Sequence, residues 1–325
     1  MTEVSQSLSA ALPYWLDRPP SEALEVARAA EAAGIEELWI GEMATFDAFA
    51  LAGALAVELD QIRLAIGPVP VALRDPLTLA MGVSSIRHLS GRPVTLMLGA
   101  SSPTVVADWH GVDTAPTRQL FRESLALCRA ILDGERSDFA GETVRSHGFR
   151  VRLESDDIRL GMAAFGPRML DLAGEVADRV ALAHVTPTLI GEARQRIDAS
   201  AAKAGRPAPE LCVWMSAGLD ETDTAQIARA LTIYVPQPGY GEMFAKAGFG
   251  DIVELARSGV GPKRVLEELP EGLLAAVAGT GGPDAIARGM QERWAAGADR
   301  VVIIPATAGT GSAIDVLAAA YEAAR

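Results

Sequence analysis

Short apolar runs and helix-length amphipathic segments alternate along almost the whole of this 325-residue chain. Eight strand-like runs are expected, near 4–11, 37–40, 62–67, 93–99, 158–163, 180–183, 211–215 and 301–304. Several, such as VALA and VVII, are apolar at every position, which suits parallel strands covered on both faces. The segments between them repeat apolar residues at helical spacing and carry start and stop signals. Ala23, Val26, Ala27 and Ala30 share one face of a helix that stops at Gly34. Asp75-Pro76 and Thr186-Pro187 set a capping residue before a proline, whose missing N–H is harmless in a first turn. Phe121, Leu125, Cys128 and Leu132 mark another helix, closed by Gly134, and residues 138–153 read as a small hairpin. Further helices are expected around 222–232, 250–258, 283–296 and 315–324. With no compositional break between halves, eight βα units predict one (β/α)8 TIM barrel over residues 1–325. An open doubly wound sheet is the alternative. Residues 233–275 read as an insertion covering the active-site mouth.

Composition narrows the function. The formal net charge is −13, so the chain repels phosphate backbones and anionic lipid, and neither nucleic acid nor membrane is an expected partner. A small-molecule substrate is. No apolar run approaches the roughly 20 residues of a membrane span, and MTEVSQSLSA lacks the basic-then-apolar pattern of a secretory leader. A cytoplasmic setting follows, with Cys128 and Cys212 as buried thiols. Only three of the 29 basic residues are lysines, which suggests a GC-rich genome.

In a barrel of this class the chemistry sits at the C-terminal ends of the strands. After the second strand comes Glu42, which either serves a ligand, as acid, base or hydroxyl acceptor, or is a solvated or Arg-paired carboxylate. After the third comes Gly67-Pro68-Val69-Pro70, whose prolines break the ladder and make either a bulge or a plain strand exit. After the fourth, SSPTVVADWHG offers the hydroxyls of Ser101 and Ser102, the apolar surfaces of Val105 and Val106, and Trp109 and His110 as pocket walls or loop residues. After the fifth, Gly166-Pro167-Arg168 opens a helix, where free N–H groups, the helix dipole and an arginine make a phosphate seat. His184 follows the sixth strand, to meet an anionic ligand or to satisfy its own loop. The four histidines are scattered with no metal-binding spacing, and no nucleophile elbow, Walker loop or dinucleotide fingerprint follows a strand. A bound organic cofactor is therefore expected to carry the chemistry.

Taken together and in order, these segments resemble the luciferase-like monooxygenase superfamily, and within it the oxidoreductases that use the deazaflavin coenzyme F420. EVARAAEAAGIEELWIGE, IRLAIGPVPVALRDPLTLA, AAFGPRMLDLAGEVADRVALA and GTGGPDAIARGMQERWAAGADRVVIIP are similar to successive parts of that family, and LGASSPTVVADWHG resembles its deazaflavin-using branch most specifically. The resemblance implies a cis peptide at Gly67-Pro68, followed by Val69, backing one face of the ring. It implies ring contacts from Ser101, Ser102, Val105 and Val106, a phosphate held by Gly166, Pro167 and Arg168, and a homodimer. Many relatives carry a histidine after the acidic residue that ends strand two. This chain has Met43, so Glu42, Trp109 and His110 stand as the catalytic candidates. The activity implied is hydride transfer between the deazaflavin C5 carbon and a small organic substrate. The alternatives are an FMN-dependent monooxygenase of the same superfamily and a cofactor-binding protein without catalysis.

Overall fold

The expected alternation runs through a computed structural model that describes residues 7–15, 18–42, 44–113, 117–309 and 313–325. Its strands are β1 (Ser7–Ala11), β2 (Glu37–Ile40), β3 (Arg63–Pro70), β4 (Val94–Gly99), β5 (Asp138–Ala140), β6 (Arg145–His147), β7 (Ile158–Ala163), β8 (Arg179–Ala183), β9 (Glu210–Gly218), β10 (Ala278–Thr280) and β11 (Arg300–Pro305). The first six helices are α1 (Glu22–Ala32), α2 (Ala48–Glu58), α3 (Pro76–Ser90), α4 (Thr117–Leu132), α5 (Gly166–Val176) and α6 (Pro187–Lys203). The rest are α7 (Glu221–Tyr234), α8 (Tyr240–Phe244), α9 (Gly250–Arg257), α10 (Pro262–Glu267), α11 (Glu271–Val277), α12 (Pro283–Ala295) and α13 (Ala313–Ala323). The order of strands and helices is that of a (β/α)8 barrel. Residues 233–275 are built mainly of short helices, α8 to α10 among them.

The chain divides into two units. One comprises Glu36–Ala181 and Arg196–Glu210. Its frame is a parallel ladder in the order β2, β3, β4, β7, β8, with β5 and β6 forming a separate antiparallel hairpin. Leu38, Ile40, Leu64, Ile66, Leu96, Leu98, Leu160 and Met162 are buried along the ladder. At the N-terminal ends of its strands lies a polar knot. Arg179, 1% exposed, donates to Glu37 Oε1 at 2.8 Å and Oε2 at 2.9 Å, to Thr95 at 2.9 Å and to Glu210 at 3.2 Å. Its guanidinium lies 5.2 Å over the Trp39 ring, whose N–H donates to Glu37 at 2.9 Å. A charge this deep is tolerable only when paired and hydrogen-bonded.

The other unit comprises Met1–Ile35, Leu182–Gln195 and Leu211–Arg325. Its ladder runs β10, β9, β11, β1, all parallel. The segment after β11 is held by α7. Gln226 Oε1 accepts from the N–H groups of Thr307 and Ala308, and Asp223 from that of Gly309.

Three elements differ from the sequence expectation. β3 does not end at 67. It continues to Pro70, and its register against β4 shifts between Ile66 and Val69, so a bulge takes up the prolines without terminating the strand. Residues 104–109, expected as loop, form a π-helical stretch. β10 is only three residues long and left no periodic signal to read.

Candidate functional site

Three strand exits in the Glu36–Ala181 unit supply the site, and glycines set their spacing. At the β3 bulge Gly67 has φ +121°, and a Cβ there would lie 2.1 Å from the Met97 carbonyl oxygen and 2.9 Å from the Val69 nitrogen. The Gly67-Pro68 bond is cis. Pro68 packs on Gly99, where a Cβ would come within 2.9 Å of its ring. The bulge is therefore pressed against the exit of β4, the strand that leads into Ser101 and Ser102. Because the atoms that would oppose a Gly67→Ala methyl are backbone, they cannot step aside. That substitution is expected to cost about 3 kcal/mol, from overpacking plus a disfavoured dihedral. An unchanged urea midpoint would show that the bulge can open.

Beyond β4 the chain turns sharply. Ser101 takes a left-handed backbone, φ 61°, and is exposed, and its hydroxyl makes no hydrogen bond to the described residues. Ser102 is committed to the turn: its hydroxyl accepts from Val105 N–H at 3.3 Å and its carbonyl from Val106 N–H at 3.0 Å. Val106 is buried and Val105 half-buried beneath this turn. Left-handed backbone is uncommon outside glycine and costs about 1 kcal/mol. Among the described residues other than glycine it occurs at Ser101, Asp157 and His184; His184 directly follows β8, and Ser101 lies two residues beyond β4.

At the exit of β7, Gly166 has φ +73° with open space where a Cβ would stand. Helix α5 starts there with Pro167 in its first turn, no side-chain cap and no acidic residue in that turn. Arg168 is exposed and has no hydrogen bond or ion pair to the described residues. Arg196, on α6, donates to the Pro167 carbonyl at 2.9 Å and to Asp171 at 2.7 Å, bracing the same turn with a second cation. Nothing in the sequence near Pro167 announces Arg196, 29 residues further on. An uncapped helix start beside an uncommitted arginine fits an anionic phosphate, on a chain that is otherwise strongly acidic.

The three catalytic candidates are placed differently. Glu42 is the Arg-paired carboxylate that the sequence left open. Arg74 grips it with Nη2 on Oε1 and with Nε on Oε2 at 3.3 Å, and Ala48 N–H donates to Oε1 at 3.3 Å. The same arginine pairs with Asp47, which caps α2 through Ala50 N–H. Hydrogen bonding to Glu42 outweighs burial and raises the Arg74 pKa above its ordinary value. With both oxygens engaged by a permanent cation, Glu42 anchors the entry to α2. Trp109 is 58% exposed and His110 is also on the surface, so neither walls a closed pocket. Met43 and residues 4–6 of the first expected strand lie outside the described residues. Cys128 is buried, and burial pushes its thiol up to about 12, which leaves it unreactive. Among the described residues no group of three or more His, Cys, Asp or Glu side chains is placed to hold a metal ion.

Residues 2–300 match the family model described as luciferase-like monooxygenase. The chain belongs to the luciferase-like monooxygenase family. A 5,10-methylenetetrahydromethanopterin reductase of Methanolobus tindarius is 30% identical to it over 238 residues, 73% of this chain and 70% of that one. The structure of a coenzyme F420-dependent tetrahydromethanopterin reductase from Methanopyrus kandleri has a TM-score of 0.79 at 20% identity, over 96% of this chain and 97% of that one. An F420-dependent secondary alcohol dehydrogenase, solved with an F420-acetone adduct, has a TM-score of 0.79 at 16% identity, over 99% of each chain. At such identities the structural likeness shows the fold, a (β/α)8 barrel.

The other unit of this luciferase-like protein carries His184, just past β8, with φ 53°. It is 7% exposed, its ring makes no hydrogen bond to the described residues, and it packs against Tyr234 with ring centroids 4.6 Å apart. Burial, helped by the positive charge of Arg293, lowers its pKa to about 4 from the ordinary 6.5. His184 is therefore neutral at physiological pH and offers no charge to an anion. Because the folded-state pKa is depressed, the unfolded chain binds the extra proton as pH falls below 6.5, and stability is lost until about pH 4. The full term is about 3 kcal/mol, from about 1.4 kcal/mol per unit. Urea midpoints at pH 7.5 and 4.5 should fall more in the native protein than in His184→Gln, and equal falls would contradict the assignment.

Proposed function

We propose that the protein is a coenzyme F420-dependent oxidoreductase acting on a small organic substrate. The observation that carries this reading is the seat at β7 and α5: an uncapped helix start, an open glycine and the uncommitted Arg168, on a chain of net charge −13. Such a seat would hold the cofactor's phosphate, with Gly166 allowing close backbone approach, Arg168 supplying charge and Pro167 fixing the first turn. The bulge at Gly67, Pro68 and Val69 would support the ring from one side. Ser101 has a hydroxyl free to donate to ring or side chain, while Ser102, Val105 and Val106 hold that turn in place. When bound, the deazaflavin supplies a hydride at its C5 carbon. The protein's part is to fix the distance between donor and acceptor, exclude water and stabilise charge developing on the substrate.

The names of the relatives support this reading, since the two structures with the 0.79 TM-scores are of F420-dependent enzymes. The second reading, an FMN-dependent monooxygenase, has the description of the family model in its favour. Turnover separates the two. Reduced F420 is expected to be oxidised, without oxygen, by a member of a panel of enones, imines and nitroaromatics. Oxygen uptake with reduced FMN, and no deazaflavin oxidation, would select the second reading. A cytoplasmic setting is part of the proposal. Among the described residues no helix is long and apolar enough to cross a membrane, and both cysteines are free and buried.

A further inference from the structure

Helices α7 and α8 set two tyrosines against His184, all within one of the two units. Tyr234 ends α7 and Tyr240 begins α8. The ring centroids of His184 and Tyr234 are 4.6 Å apart, those of the tyrosines 5.1 Å, and those of His184 and Tyr240 6.3 Å. The planes are tilted by 48°, 63° and 53°, so the three rings make a corner rather than a stack. Phe244, fully buried, joins the cluster 6.3 Å from Tyr240. Its surroundings are pinned: Arg257 donates to Glu242 at 2.6 Å and to the Pro236 carbonyl at 3.1 Å, and Lys246 pairs with Glu192 on α6. Both tyrosines are half-buried, yet burial pushes both phenols up. Surface that water touches without solvating well belongs to a recess, not to an open face. Polar groups in such a place nearly always have partners. Here the His184 ring and the Tyr234 hydroxyl make no hydrogen bond to the described residues. The buried Thr186 hydroxyl, two residues beyond His184, has none either, although it stands where a capping residue is expected.

We propose that this recess, lined by His184, Tyr234 and Tyr240, binds a neutral single-ring phenol. The tilted rings offer faces and edges to an aromatic body. The polar groups select a hydroxyl. A neutral imidazole carries one N–H and one lone pair, and a phenolic hydroxyl can donate to His184 while accepting from the Tyr234 hydroxyl. Three rings alone would also suit a cation. Arg293 disfavours one, because its positive charge acts on His184 and no carboxylate among the described residues pairs with it. An anion is disfavoured too. Arg293 is 1% exposed and spends its donors on the carbonyls of Gly289 and Ala276, so it offers an anion no contact, and the whole chain carries −13. The left-handed backbone of His184, φ 53°, fits a side chain held in place for a ligand, since strain of this kind gathers at binding sites.

Isothermal titration of the full chain with p-cresol, in the absence of any deazaflavin, tests this independently of the F420 reading. Saturable one-to-one binding below millimolar concentration is expected, with toluene, benzoate and benzyltrimethylammonium each at least tenfold weaker. Tyr234→Phe keeps the ring and removes only the hydroxyl. It should weaken p-cresol about tenfold, the worth of one hydrogen bond. His184→Leu should weaken it at least as much. His184→Asn, which tolerates left-handed backbone and still gives and takes a hydrogen bond, should recover part of the loss. In the native protein p-cresol should shift the His184 ring nitrogen resonances, identified by their loss in His184→Asn. Should the histidine variants misfold, the near-isosteric Tyr234→Phe and the resonance shift still decide. No saturation at millimolar concentration, binding indifferent to Tyr234→Phe, or tighter binding of benzoate or the ammonium would overturn the proposal.

Discussion

Arg179→Leu is expected to cost about 3 to 5 kcal/mol, the usual result of removing one partner from a buried ion pair. Folded domains are stable by about 5 to 15 kcal/mol, so the variant should sit close to its unfolding midpoint under mild conditions. The cause is what remains. Glu37, 4% exposed, loses both of its charge-assisted bonds from Arg179 and keeps the Trp39 N–H. Glu210 is less affected because Arg159 holds it from outside at 3.0 Å. Double substitution with Glu37→Leu should recover part of the loss, since a buried pair replaced by apolar side chains is often near neutral. Urea melts of the two single variants and the double variant give the coupling. A cost below about 1 kcal/mol for Arg179→Leu, the range of an exposed pair, would contradict a buried role. The knot lies at the N-terminal ends of β2, β4 and β8, away from the strand exits, so the surviving folded fraction should bind ligand as the native protein does.

Arg168→Glu is expected to have the largest effect on function. Charge-assisted hydrogen bonds contribute about 1.5 to 3 kcal/mol, and reversing the charge adds repulsion to the field of an acidic chain. The F420 dissociation constant should rise about 100-fold, which is about 2.7 kcal/mol at 1.4 kcal/mol per tenfold. Arg168 is exposed and makes no interaction with the described residues, so the melting temperature without ligand should not move. Raised salt should weaken binding to the native protein more than to the variant, because screening acts on the interaction that the variant has lost. Equal affinities for the two proteins would remove the phosphate from α5.

The frame was legible because alternation and apolar runs are local signals. VVII and VALA fall within β11 and β8, and the Asp75-Pro76 start holds: Asp75 accepts from Leu77 and Thr78 N–H. The strand exits were legible as positions. What fills them was legible only where the reason is local, as with glycine at 67 and 166. The polar partnerships were not, because they join distant segments. Glu37 and Arg179 are 142 residues apart, and Glu42 and Arg74 are 32 apart. Glu123, buried on α4, accepts from three successive N–H groups at 142–144, which no helical periodicity reveals. The left-handed backbone at Ser101 and His184 has no signature in residue type, since neither is glycine.

The most direct test is a paired titration of the purified chain with F420 and with FMN, each followed by the quenching of ligand fluorescence. Saturable one-to-one binding of F420 at micromolar concentration or tighter, with FMN at least tenfold weaker, is the predicted result. Binding of FMN in preference, or no binding of F420 at millimolar concentration, would contradict it.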